Sequence, residues 1–293
     1  MAADELVRAV SASGGVRVDA LVGTALVAEA ARRHRTSATA TTALGRALMG
    51  GVLLAASAKD GESVQLQFRG DGPLGALTVI ADAAGRVRGF AARPDAVVPA
   101  REGRVDVGTA LGRGRLAVVR YHPAWRQPYT GIVELETGEI AQELARYLAL
   151  SEQRNAAVAL GLVLGPEGEV EAAGGYVVEA LPGVSEEELA TVEDNTRALH
   201  NPSEWIHRGA VAGDLADRLL ADLGARARAA RTPAFACSCS RERALRAAGL
   251  LRADETAELV ARGESLEVRC EFCGERYELS APELAAGRAD GPA

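Results

Sequence analysis

This chain of 293 residues holds four cysteines, and all four lie near its C-terminus: Cys237, Cys239, Cys270 and Cys273. They form two close pairs, Cys237-Ser-Cys239 and Cys270-Glu-Phe-Cys273, separated by residues 240–269. Zinc takes four thiolates in a tetrahedron. Each pair can supply two from one local turn, and the long spacer lets the pairs converge. Cys270-x-x-Cys273 followed by Gly274 is a common zinc knuckle. In an extended strand the two sulfurs of Cys237-x-Cys239 face the same side, so both can reach one metal, or each other once the metal leaves. Four unrelated buried thiols are the alternative, and the clustering opposes it, because residues 1–236 contain no cysteine. His34, His122, His200 and His207 are scattered, and none stands at ligand spacing to the cysteines. They read as surface or satisfied polar residues. Four thiolates leave no open position for a catalytic water.

The segment around the cysteines is poor in large apolar residues. It offers Phe235, Leu245, Leu250, Leu251, Leu259, Leu266, Val268, Phe272, Tyr277 and Leu279. A module this small usually needs a metal or disulfides to fold. Structural zinc contributes about 10–16 kcal/mol of apparent binding free energy at neutral pH, more than such a core supplies. Zinc also keeps sulfur as thiolate, the form that oxidants attack. The chemistry therefore permits either a purely structural metal or an oxidation switch.

The rest of the chain must position this module. With 48% hydrophobic residues, it can bury a large core and probable domain sizes give two domains. Net charge is −7, a poor match to nucleic-acid phosphates. The start, Met-Ala-Ala-Asp-Glu-Leu, has no hydrophobic signal core. The uncharged run 47–58 is too short to span a bilayer, so the reading is a soluble protein. Cysteines clustered as ligands fit a reducing cytoplasm.

Short strands are expected at 5–10 and 16–18, a helix at 20–34, and a second helix N-capped by Ser37 with Leu44, Leu48 and Val52 on its buried stripe. Gly50-Gly51 within it suggests close packing in a core helix. Strands follow at 63–68, 74–81, 87–91, 116–121 and 129–135, then a helix at 139–151 and a hairpin of 156–164 with 170–178. The glycine-rich 108–115 reads as a turn at a strand edge. Lys59, the only lysine, precedes Asp60, so no Walker lysine exists. There is also no Gly-x-Ser-x-Gly or His-Glu-x-x-His. Nothing marks an enzyme.

This pattern is α+β: a mixed sheet-and-helix domain over 1–183, a helical linker over 184–232, a small zinc-binding domain over 233–282 and a disordered tail over 283–293. Ser185-Glu-Glu-Glu188 is a capping box that opens the linker. Leu215, Leu219 and Leu223 form a one-sided stripe within it. Such a linker is either an ordinary connector or an element that packs conditionally on its neighbours.

The cysteine pattern resembles that of the redox-regulated heat-shock chaperone family, bacterial zinc-dependent holdases. Gln127-Pro-Tyr-Thr-Gly-Ile-Val133, Tyr147-Leu-Ala-Leu-Ser-Glu-Gln153, Gly174-Gly175 with Leu181-Pro182, and Cys239-Ser-Arg-Glu-Arg243 extend the likeness over the whole chain. Arg154-Asn155-Ala156 departs from a Pro-Thr-like pair at that turn. The resemblance implies one Zn2+ per reduced chain, held by Cys237, Cys239, Cys270 and Cys273, in an inactive state. It implies that oxidation forms Cys237–Cys239 and Cys270–Cys273 disulfides, releases zinc and unfolds the zinc domain and linker. The oxidised protein, a homodimer, then holds unfolding client proteins without ATP under oxidative and heat stress. Leu215, Leu219 and Leu223 are the candidates for client contact, and neither nucleic acid nor membrane is a partner. The alternative is a zinc ribbon that binds nucleic acid or a protein partner. Arg226, Arg228, Arg231, Arg241, Arg243 and Arg246 favour it; the acidic total charge and the lack of interleaved aromatics oppose it.

Overall fold

The computed structural model describes residues 3–289. The chain divides into two compact units, Met1–Ala236 and Cys237–Ala293. In the first unit, β1 (Glu5–Ser11) and β2 (Val16–Val22) precede α1 (Thr24–His34) and α2 (Ala38–Ala55). Then come β3 (Ser63–Gly70), β4 (Ala76–Asp82), β5 (Arg86–Ala91), α3 (Val107–Leu111), β6 (Gly114–Tyr121) and β7 (Tyr129–Glu134). After α4 (Ile140–Leu150) follow β8 (Ala156–Leu164) and β9 (Val170–Ala180), then α5 (Glu186–Ala198), α6 (Pro202–His207) and α7 (Ala212–Leu219). Strands β10 (Ala225–Arg231) and β11 (Ala234–Phe235) end the unit. The second unit contains α8 (Arg241–Ala248), α9 (Ala253–Arg262), β12 (Leu266–Arg269), β13 (Arg276–Leu279) and α10 (Ala281–Ala289). The class is α+β, as its sequence indicates.

Two sheets build the first unit. One is ordered β10-β1-β2-β9-β8, the other β11-β5-β4-β3-β6-β7. Helix α2 lies in the apolar core between them, together with α1 and α4. Sixteen of its eighteen residues are buried, which is why it is apolar on every face. It is long and apolar enough to cross a membrane by composition alone, but 89% of it is buried inside the protein, so it is a core helix. Ser37 caps it, accepting from Ala40 N–H at 3.1 Å. Gly50 and Gly51 let neighbours approach: a Cβ on Gly51 would stand 2.8 Å from Val79 Cγ1, and one on Gly50 would strike Leu144.

The outer face of the five-stranded sheet carries a second apolar cluster. Val7, Val16, Val18, Ala20, Tyr176 and Val178 meet Val192, Leu199, Ile206, Leu215 and Leu219 there. Helices α5–α7 are thus seated on this sheet. The Ser185 capping box is formed, with Glu188 N–H and Ser185 N–H each donating at 3.2 Å to the other's side chain.

Several expectations change at the level of elements. The stretch 184–232 is not helical throughout, because Ala225–Arg231 is a strand antiparallel to β1. Its alternating Ala and Arg look helix-compatible, and only the distant partner decides otherwise. The glycine-rich 108–115 begins within the five-residue α3 (Val107–Leu111), capped by Asp106, and is not only a turn. Phe235 pairs with Val87 of β5 and packs on the first unit's core and edge-on to His34, instead of serving the cysteine module. In the expected disordered tail, 283–289 belong to α10; residues 290–293 lie outside the described residues.

Candidate metal centre

The second unit forms its site from a hairpin and an extended arm. Strands β12 and β13 pair antiparallel, Val268 with Tyr277 and Arg269 with Arg276. The turn between them closes through Cys270 N–H to Glu275 O and Gly274 N–H to Cys270 O, both 2.8 Å. Gly274 has φ 73°, a left-handed conformation that costs a side-chain-bearing residue energy. This turn carries Cys270 and Cys273. The other pair sits just before α8, whose N-cap Ser240 accepts from Arg243 N–H at 3.3 Å. Arg243 reaches back to Ser238 O at 3.1 Å and to its hydroxyl at 3.0 Å, fixing the arm that holds Cys237 and Cys239.

The four sulfurs converge. All lie within 4.8 Å of one another, with Cys237 and Cys270 Sγ 3.8 Å apart and Cys239 and Cys273 Sγ 3.4 Å apart. Zn–S bonds of 2.3 Å at tetrahedral angles place sulfurs about 3.8 Å apart. The donor set and its spacing therefore fit a tetrahedral thiolate metal. Cys273 is buried, and the other three cysteines are partly accessible.

Electrostatics at the site follow from local donors. Burial pushes the Cys273 thiol up, and it raises Cys237 as well, partly offset by the N–H of Cys239. Burial also acts against the Cys239 thiolate, but hydrogen bonds, first that from Tyr277, bring it below its ordinary value. Tyr277 Oη donates to Cys239 Sγ at 3.2 Å. Sequence reasoning treated Tyr277 as one more apolar residue. Its place in the strand that leaves the Cys270-x-x-Cys273 turn was the available signal.

The apolar support is thin. Ala244, Ala248, Leu279 and Leu284 are its buried core, with Leu245, Leu259, Val260, Leu266, Val268 and Tyr277 packed partly against them. Leu250 is 88% exposed and adds nothing to that core. Arg241 ties α8 to Glu283 at the start of α10 at 2.7 Å and 2.8 Å. The linker stripe is elsewhere: Leu215 and Leu219 are fully buried on the five-stranded sheet, and Leu223 packs partly against the same cluster.

Comparison with known proteins shows the family. The model of the Hsp33 protein family matches residues 4–280. The chain is 44% identical to the 33 kDa chaperonin of Symbiobacterium thermophilum over 96% of each chain. It is 42% identical to that of Thermus thermophilus, over 95% of this chain and 85% of the other. A crystal structure of the 33 kDa chaperonin from Thermotoga maritima matches with a TM-score of 0.91 at 30% identity, covering 98% of each chain. An α+β body with a four-cysteine unit at its C-terminus thus defines a chaperone, a binder of unfolded proteins. The chain belongs to the Hsp33 family.

Proposed function

We propose that this chaperone is an ATP-independent holdase of the cytoplasm, switched on when its four cysteines are oxidised. The observation that carries the reading is the convergence of Cys237, Cys239, Cys270 and Cys273 in a unit whose buried apolar core is four residues. Zn2+, one per chain, would be held by these four sulfurs and would keep them as thiolates. The protein's own residues then set the response. Cys239, favoured as thiolate by Tyr277 and partly accessible, is the first target for a peroxide. One peroxide oxygen is transferred to its sulfur, giving a sulfenic acid and releasing hydroxide, which takes a solvent proton to become water. The neighbouring Cys237 thiol attacks that sulfur, the S–S bond forms and a second water leaves. Cys270 and Cys273 react in the same way with a second peroxide.

Pairing within each arm removes the link that the four sulfurs would make between the arm and the hairpin, leaving Arg241 on Glu278 O and Glu283 beside the apolar core. The small core is then left to hold the unit alone, and it unfolds. Strand β10, α7 and the stripe Leu215, Leu219 and Leu223 lose the anchored chain that follows them. Released apolar surface binds the apolar surface of unfolding clients and needs no nucleotide. Two oxidised chains offering such surfaces to each other form the homodimer.

Light scattering of a heat-unfolded client, without ATP, tests this reading. Oxidised protein suppresses the aggregation, and reduced, zinc-loaded protein does so poorly. Equal protection by the two forms removes the switch; protection by neither removes the holdase.

A further inference from the structure

The five-stranded sheet ends on β10, and this strand is held in an unusual way. Its sequence is Ala-Arg-Ala-Arg-Ala-Ala-Arg. All of its residues whose side chains are described, Ala225, Arg226 and 228–231, are exposed. It pairs with β1 from Leu6↔Arg231 to Ser11↔Ala225, with a bulge between Val10 and Ser11. Main-chain hydrogen bonds therefore do most of the holding. Beside Ala229 the slot is not filled: a cavity of about 20 Å³ is lined by Leu6, Arg8, Asp19, Ala56, Ala229 and Arg231. The side-chain contacts described beside these are surface ones, among them Arg228 with Asp217, Arg231 with Ala83 O and Arg226 over Gly14. Such exposed pairs contribute little.

The strand beneath it is of the opposite kind. In β1, Leu6 enters the core between the sheets, while Val7 and Ala9 enter the cluster on the outer face. β1 is thus an interior strand, apolar on its outer face and carrying Leu6 beside the Arg8–Asp19 ion pair on the other, and β10 is all that keeps its outer edge from being open. An uncovered edge of this type presents unpaired N–H and C=O groups that any extended chain can match. Alanine and arginine also fill the place with low strand propensity, so a chain richer in β-branched residues fits it better. Along the chain, only Thr232–Ala236 separate β10 from Cys237.

Resting on the redox-switched holdase reading above, we propose that β10 is an internal stand-in for client. Its release opens the β1 edge, and an extended segment of an unfolded protein takes its place by strand addition. The client is then gripped through its main chain, which every unfolded protein has, and the apolar face beside β1 adds contacts for its side chains. Recognition by backbone explains how one site serves clients of unrelated sequence.

The test uses the full-length protein and two synthetic probes. The first is the fluorescein-labelled peptide Val-Arg-Val-Arg-Val-Val-Arg, which keeps β10's charges and replaces its alanines with valine. The second is the same peptide N-methylated at every residue, which cannot pair through either edge. Fluorescence anisotropy should show the first peptide binding oxidised protein at least tenfold more tightly than the second, and binding reduced, zinc-loaded protein at least tenfold more weakly. Hydrogen exchange should show the Leu6–Val10 amides of oxidised protein gaining protection when the first peptide is added. Equal binding of the two peptides, or unchanged exchange at Leu6–Val10, overturns strand addition even where client aggregation is still suppressed. Suppression of aggregation by neither redox form overturns the holdase reading itself, and the two failures are therefore distinct.

Discussion

The two units of this protein are stabilised by different chemistry. The first buries Tyr147, Tyr176, Phe68 and many leucines almost completely, in layers of sheet, helix and sheet. Among its described residues, the second has an apolar core of two alanines and two leucines, with Cys273 and Thr256 also buried. Apolar burial is indifferent to oxidants, and sulfur is not. A chain that places its stability in burial at one end and in thiolates at the other can lose one end without losing the whole. The linker helices and β10 stand between these regimes: they belong to the first unit, yet they are followed directly by the cysteines.

The largest effect is expected from chelating the metal that the four sulfurs are proposed to hold. Chelation of reduced protein should cost the second unit its fold, a loss on the order of 10–16 kcal/mol of apparent binding free energy. Limited trypsin digestion should then cut at Arg241, Arg243 and Arg262, while arginines of β3–β6 resist. Survival of α8 and α9 under chelation would show that the small core suffices.

A smaller effect probes the first unit. Glu62, Arg120, Glu152, Arg154, Glu179 and Arg17 form a continuous charge chain that joins the two sheets. Glu152 sits at its centre, taking Arg120 Nε at 2.8 Å, Arg154 at 2.9 Å and Tyr147 Oη at 2.9 Å. Burial is the largest single influence and works against its charge, but the hydrogen bond and charge of Arg120, with hydrogen bonds from Arg154 and Tyr147, together outweigh it and hold the carboxyl below its usual 4.5. Because the folded pKa is depressed, this stabilisation is present above about pH 4.5 and is lost as pH falls through the folded value. Glu152→Ala should cost about 3 kcal/mol at pH 7, with Glu62 and Glu179 left to pair the arginines. Urea unfolding should show the gap between variant and wild type narrowing in acid. Zinc content should not change, since the two units hold by separate means.

The smallest effect lies at the metal site. Tyr277→Phe removes the one side-chain donor to Cys239 described there, at about 1.5 kcal/mol. Zinc affinity measured against a competing chelator should fall about tenfold. An unchanged affinity would assign the hydroxyl no part in holding the thiolate.

Local signals in the sequence were read well. Cysteine spacing located a site whose sulfurs do converge, Ser37 and the Ser185–Glu188 box marked real helix starts, and alternation in Ser63–Phe68 marked a real strand. What escaped depends on partners far away in the chain. β10 is a strand only because β1, more than two hundred residues earlier, offers it an edge, and its alanines carry no strand signature. By its place in the chain Phe235 counts with the cysteine module, but the distant β5 and the first unit's core claim it. The Glu152 chain draws residues from three strands and two connections, a pattern that no local spacing encodes. Leu215 and Leu219 were legible as a stripe, but the sheet that buries them was not.

The central claim is that oxidation acts on one end of the molecule and spares the other. Hydrogen exchange across the whole chain, compared between reduced, zinc-loaded and peroxide-oxidised protein, tests it most directly. The account predicts that amides of 184–231 and 237–289 lose protection on oxidation, while those of α2, β3, β4, β6 and β9 keep theirs. Loss of protection in α2 and β3 to the same degree, or unchanged protection in α8 and β13, would contradict it.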